Sequence, residues 1–291
     1  MIDSHPEWFK EALSVDKEQR SIKVEGDTIC YQKWGDNSKP GMVLVHGSGS
    51  HSHWWDFIAP LLLEDFQISA IDLSGMGDSD HREDYSPELY GKEILSVAED
   101  SNFFEVSDPI ICGHSMGGFM SAYAGLISDK KLGGVIMVDS PIRPPTYDYS
   151  THVRSGPIRR IKTYPDRESI LERFRLTPEQ DCENEYLVKY IAEWSVKEAN
   201  NGYQWKFDDT IFDKLGFSHM TKNQAFELEC NLGVIYGTES NMMTEEILSF
   251  IKSNVPEGTP MIAIEKAAHH ILLDQPLRLA DAIRGIAKDW I

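Results

Sequence analysis

The sequence predicts an α/β fold, a mostly parallel central sheet with helices on both faces, carrying one inserted helical segment. Three observations predict it. Short apolar runs alternate with amphipathic stretches over residues 42–138 and again over 232–290, the rhythm of a parallel sheet covered on both sides. Between them, over residues 142–226, this alternation stops and only helical periodicity is visible, with Leu187, Tyr190, Ile191 and Trp194 on one stripe. Finally, Ile110-Ile-Cys-Gly-His-Ser-Met-Gly-Gly118 runs from a strand pattern into a helix pattern with almost no loop between them.

The bulk composition fits one large domain with an insertion. The 291 residues are 41% hydrophobic and 26% charged, enough for a sizeable core. A net charge of -19 argues against nucleic acid and anionic membrane surfaces as partners, since both require a basic face. Cys30, Cys112, Cys182 and Cys230 match no metal or redox spacing, and Cys112 reads as a buried thiol. The N-terminal residues show no basic segment followed by an apolar run, and no stretch could span a bilayer, so a cytoplasmic protein is expected.

In order, residues 6–15 suit a short helix opened by Pro6, and residues 21–34 read as a hairpin around Glu25-Gly26-Asp27. Residues 42–45 form a strand running into His46-Gly47-Ser48-Gly49-Ser50, and Trp54, Trp55, Ile58, Leu61 and Leu62 mark a helix face. Strand 68–73 leads into the turn-rich Ser74-Gly75-Met76-Gly77-Asp78-Ser79. Helix 87–99, strand 110–112, helix 117–127 and strand 135–138 follow. After the insertion come strand 232–236, helix 244–253, strand 261–264 and helix 276–290. The core domain is expected at residues 1–141 and 227–291, with a helical cap at 142–226 over the carboxyl edge of the sheet, where open α/β sheets bind ligands.

A strand that becomes a helix within one residue strains that residue, and the glycines beside Ser115 remove Cβ atoms that would collide across the turn. The strain exposes the Ser115 hydroxyl and aims the next helix's N-terminus at whatever reacts there. The order of His46-Gly47, residues 72–79, Gly113-His-Ser-Met-Gly117 and Ala268-His269-His270…Asp274-Gln-Pro276 resembles the α/β-hydrolase superfamily along essentially the whole chain. The resemblance implies a hydrolase with Ser115 as nucleophile. A serine, where related dehalogenases and epoxide hydrolases carry aspartate, implies acyl transfer through an ester intermediate.

The resemblance further implies His269 as the base, with His270 a packing residue behind it. It leaves the acid open. The usual aspartate after the penultimate strand is replaced by serine in Gly237-Thr238-Glu239-Ser240. Some members take the acid from the strand before the cap, where this chain has Asp139; Glu239 is the alternative. The oxyanion hole is expected from the backbone N–H groups of Met116 and, by family position, Ser48. No metal or cofactor is expected: His46, His51 and His53 have no carboxylate or cysteine at ligand spacing, and the glycine-rich turns match no nucleotide motif.

The expected activity is that of a cofactor-independent serine esterase acting on a small to medium carboxylic ester or thioester. The alternatives are a carbon–carbon bond hydrolase using the same triad and a slow-turnover ligand receptor; the oligomeric state is left open. One further feature is the local excess of arginine and lysine between Arg143 and Arg175. It could bind a substrate carboxylate or simply pair with the acidic residues at 179–198.

Overall fold

The structure is a computed structural model describing residues 5–147, 161–215 and 226–291. Helix α1 (Glu7–Ser14) buries Phe9 and Ala12 and leads into the hairpin β1 (Glu18–Val24) and β2 (Asp27–Trp34). Glu25 and Gly26 take φ of 50° and 97°, as a two-residue hairpin loop between right-twisted strands requires. There follow β3 (Gly41–Val45), β4 (Gln67–Ile71), α2 (Pro87–Asp100), β5 (Ile110–His114), α3 (Met116–Ile127) and β6 (Gly134–Val138). The segment between β6 and β9 holds α4 (Arg167–Leu171), α5 (Glu185–Trp194), β7 (Val196–Ala199), β8 (Gly202–Trp205) and α6 (Ile211–Lys214). The chain closes with β9 (Asn231–Gly237), α7 (Glu245–Asn254), β10 (Met261–Ile264), α8 (Ile271–Asp274) and α9 (Pro276–Ala287).

Eight strands form the main sheet in the order β1-β2-β4-β3-β5-β6-β9-β10. From β4 to β10 every pairing is parallel, while β1 and β2 join as an antiparallel edge. Alternate residues of each inner strand serve opposite faces, as the two-residue strand period dictates. Met42, Leu44, Ile110 and Cys112 pack with Trp55, Phe57 and Ile283, whereas Val43, Val45 and Ile111 pack with Tyr90, Ile94 and Met120. The chain turns to one side of β3 to make β4 and to the other to make β5. The loops after β3 and β5 therefore meet where the strand order reverses, the crevice at which α/β sheets place ligands.

A buried carboxylate ties these loops together. Asp72 accepts the N–H of Ser52 at 2.6 Å and of Asp78 at 2.9 Å, and its carbonyl accepts the Ser79 hydroxyl at 2.5 Å. Asp72 and Ser79 thus shape the loops after β3 and β4. Among the described residues no helix is long and apolar enough to cross a membrane.

Two expected elements differ. The helix expected around Trp54–Leu62 is a pair of 3-10 turns, Ser52–Trp55 and Ala59–Leu62. Pro60 explains this: it has no N–H to give and its ring would strike the carbonyl one turn back in an α-helix. The insertion is also not wholly helical, because β7 and β8 pair as an antiparallel hairpin. Its loop is Asn200-Asn201, with φ of 68° at Asn201, and Gly202, at φ 146°, opens β8.

Gly77 reports on the Asp72 anchor. It has φ of +60°, and a Cβ there would lie 2.2 Å from the Asp72 carboxylate carbon. Gly77→Ala should therefore destabilise by more than the ~1–2 kcal/mol of a left-handed alanine. Gly258→Ala, at φ +84° with nothing within 4 Å, carries the backbone cost alone. Thermal unfolding of the two variants should show the larger fall in Tm for Gly77→Ala; equal falls would mean the Asp72 loop yields freely.

Candidate active site

Strand β5 ends at His114 and α3 begins at Met116, so Ser115 alone reverses the chain, at φ 54° and ψ -120°. Such a backbone costs about 1–3 kcal/mol and persists only where its surroundings fix it. Here the Ser115 N–H donates to the Val138 carbonyl at 2.8 Å, and the Ser115 carbonyl accepts the Gly118 N–H at 3.0 Å. A Cβ on Gly113 would lie 2.2 Å from the Gly117 carbonyl oxygen, and one on Gly117 would lie 2.4 Å from that of His46. No side chain fits at either position, which is the packing reason for glycine on both sides of the serine.

His269 enters from the loop between β10 and α8. Its Nε2 lies 3.0 Å from Ser115 Oγ, and its Nδ1 lies 2.7 Å from Asp139 Oδ2. An ionised carboxylate can only accept, so Nδ1 carries the proton and Nε2 turns its lone pair to the serine. Asp139 follows β6 directly at φ 46° and is fully buried. Its remaining demand is met by the Gly237 N–H at 2.9 Å on Oδ1 and the Ser240 hydroxyl at 2.6 Å on Oδ2. Of the two candidate acids, then, Asp139 faces His269. Glu239 is exposed, and its backbone N–H donates to the Ala267 carbonyl.

The backbone N–H groups of Met116 and Ser48 have no partner among the described residues. Gly47 lies against the serine, a Cβ there falling 3.4 Å from Ser115 Cβ. His46 is committed to structure: Nδ1 donates to the Gly47 carbonyl at 2.7 Å, and Nε2 accepts the Leu73 N–H at 3.1 Å. His51 bonds Ser195 and His53 bonds Asp56. Among the described residues, His114, His269 and His270 each offer a nitrogen within 4.8 Å of the others. Each of these rings already commits one nitrogen to an oxygen acceptor: His114 to the His269 carbonyl, His269 to Asp139, and His270 to the Pro178 carbonyl. Burial, reinforced by neighbouring His269, pushes His114 well below the ordinary histidine range and His270 down to about 3.

Two contacts of this centre escaped sequence reading. His114 Nε2 donates to the His269 carbonyl at 2.9 Å, fixing the backbone of the base. Ser240 stands where the family's acid usually lies, and its hydroxyl donates to Asp139; the serine in that motif was the signal in the sequence. In the basic segment, Arg167 pairs with Glu193 and also donates to its carbonyl. Arg175 donates to the carbonyls of Glu172 and Phe174, and Arg143 lies over the Tyr147 ring. Arg154, Arg159 and Arg160 lie outside the described residues. Two open cavities of about 290 and 240 Å³ share His81 and Lys197, and Ser115 lines neither.

A strained serine between strand and helix, set on a doubly covered parallel sheet, defines the class of the protein, and comparison with known proteins agrees. The sequence profile of the alpha/beta hydrolase family matches residues 42–282, and the chain belongs to that family as one of its hydrolases. It is 23% identical over 273 residues to a Mycobacterium tuberculosis protein named Esterase Rv0045c, covering 91% of this chain and 88% of that one. Among solved structures it is similar to E-2-(acetamidomethylene)succinate hydrolase, with a TM-score of 0.79 at 17% identity, covering 94% and 100% of the two chains. A thioesterase domain from the curacin biosynthetic pathway superposes with a TM-score of 0.73 at 20% identity, over 92% and 99%.

The Ser240–Asp139 contact gives a pH test. Ser240→Asp would set a second carboxylate beside Asp139, raising the pair's affinity for a proton in the folded state above that in the unfolded chain. Stability relative to wild type is then lost as pH rises through the raised value and regained as it falls. The Tm deficit should be larger at pH 8 than at pH 5; an equal deficit would show that the introduced carboxyl escapes to solvent.

Proposed function

We propose that the chain is a serine hydrolase cleaving a small to medium carboxylic ester or thioester through an acyl-enzyme on Ser115. The observation that carries this is the continuous path Ser115 Oγ–His269 Nε2 (3.0 Å) and His269 Nδ1–Asp139 Oδ2 (2.7 Å), with the acid fully buried. Ser115 Oγ attacks the carbonyl carbon as His269 takes its proton, and Asp139 holds the tautomer and stabilises the imidazolium. The oxyanion is met by the N–H groups of Met116 and Ser48, fixed in place before the charge develops. Collapse expels the alcohol or thiol, protonated by His269. A water deprotonated by the same imidazole then attacks the acyl carbon, and Ser115 leaves with the acid released.

Residues 142–226 act in this reading as a cap over the carboxyl edge of the sheet. Support comes from where the described part touches the body. The Gly77 N–H donates to the Lys206 carbonyl and the Asp208 N–H to that of Gly75, while Tyr190 bonds Asp56 and Asn184 bonds the Leu273 carbonyl. All of these partners lie beyond strand carboxyl ends.

Turnover of activated esters of graded acyl length tests the activity. Ester cleavage well above the rate of Ser115→Ala supports a hydrolase. A bound ligand with turnover near zero would favour a receptor, and selective cleavage of β-diketones a carbon–carbon hydrolase. Ser115→Ala should abolish turnover with the fold intact; activity within about tenfold of wild type would exclude this nucleophile.

For the acid, Asp139→Asn should lower kcat on the order of a thousandfold or more by releasing the wrong tautomer, and Glu239→Gln should change it little. The reverse ranking would return the acid to the later loop.

A further inference from the structure

The base is gripped through its backbone neighbours. The Ala268 N–H, one residue before it, donates to Asp274 Oδ2 at 2.8 Å; the His270 N–H, one residue after it, donates to Gln180 Oε1 at 2.9 Å. The same glutamine donates from Nε2 to Asp274 Oδ2 at 2.9 Å. One amide from the segment between β6 and β9 thus joins both flanks of His269. An amide does so at any pH, since it carries an acceptor and a donor fixed on one carbon. The Pro178 carbonyl, two residues earlier, accepts His270 Nε2–H at 3.2 Å.

We propose that Gln180 is a positioning residue for His269, so that docking of the 178–184 stretch sets the imidazole in place for catalysis. The proposal rests on the Ser115–His269–Asp139 reading above. It makes chemistry conditional on the insertion being seated: with Gln180 withdrawn, residue 270 loses its anchor and Asp274 loses a donor. Asn184 offers the internal contrast. Its Nδ2 donates to the carbonyls of Leu273 and Asp274, at 2.7 and 3.2 Å, holding the same stretch to α8 without touching residues 268–270.

The test is kcat and KM for an activated ester between pH 5.5 and 9 in wild type and in Gln180→Ala, Gln180→Glu, Asn184→Ala and Ser115→Ala, with thermal melts of each. Gln180→Ala should lower kcat roughly tenfold to a hundredfold with KM within about twofold, the signature of a displaced catalytic group. Gln180→Glu keeps the acceptor but sets a carboxylate against Asp274. Asp274 is already raised by burial and lies near Glu239 and the Cys182 thiol, with His270 on the adjoining backbone. Its activity relative to wild type should therefore be lowest at pH 8–9 and climb as pH falls, because a proton shared by the two carboxyls restores the missing donor. That reversal is read within one folded protein, so it stands even if Gln180→Ala folds poorly. Asn184→Ala should lower Tm with kcat near wild type. The proposal is overturned if Gln180→Ala keeps wild-type kcat, if it and Asn184→Ala lose kcat alike, or if Gln180→Glu tracks the wild-type pH profile. Retained activity in Ser115→Ala would overturn the triad reading itself.

Discussion

The reversal of the chain at Ser115 is the constraint on which the other features depend. One residue in a disfavoured conformation replaces a loop, so β5 and α3 must approach until Gly113 and Gly117 have no space for side chains. That closeness brings the first turn of α3 beside the end of β3 and the loop after it. The strain is offset by the parallel sheet beneath it: the Ser115 N–H is paired to Val138 on β6, and the flanking strands are wholly buried.

A second requirement is electrostatic. A carboxylate with no solvent access is tolerable only when its lone pairs are met, and Asp139 has the Gly237 N–H, the Ser240 hydroxyl and the His269 imidazole. Asp139 at the end of β6 reaches the imidazole beside the loop after β9, because adjacent parallel strands end side by side. In that loop the Ser240 hydroxyl donates to Asp139. This is why Ser240 interrupts the family motif without leaving a hole in the site.

Around this centre the loops at the carboxyl ends of the strands are fastened to one another and to the insertion. Asp72 joins the loops after β3 and β4, His114 joins β5 to the His269 loop, Gln180 joins the insertion to that loop, and Asn184 joins the insertion to α8. His269 and the residue after it are therefore held by β5, by the end of β6 and by the insertion, three stretches far apart in sequence. The insertion is built partly of arginines that answer its own carboxylates, as Arg167 answers Glu193, which accounts for part of the reversed charge in that stretch.

Much of this was legible in the sequence, because local rules govern it. The alternation of apolar runs and amphipathic stretches reports burial on two faces, and glycines around a serine report a turn that excludes Cβ atoms. These signals yielded the sheet, the order of its elements and the sharp turn at Ser115, and family likeness pointed to His269 as the partner of that serine. Where local pattern and local sterics disagreed, the sequence misled: Pro60 broke a helix whose apolar spacing was sound, and the Asn200-Asn201 turn folded a hairpin inside a stretch that looked helical. Between Asp139 and Glu239 the pattern favoured Asp139 only by its place at the end of a strand. Both follow strands of the same sheet, and which one meets an imidazole 130 residues away from Asp139 along the chain depends on how strand ends and loops converge. The same holds for Ser240, His114 and Gln180, whose roles exist only as hydrogen bonds across 90 or more residues of intervening chain. Sequence alone determined what could be built from neighbouring residues; tertiary structure decided every contact whose partners the chain brings together only on folding.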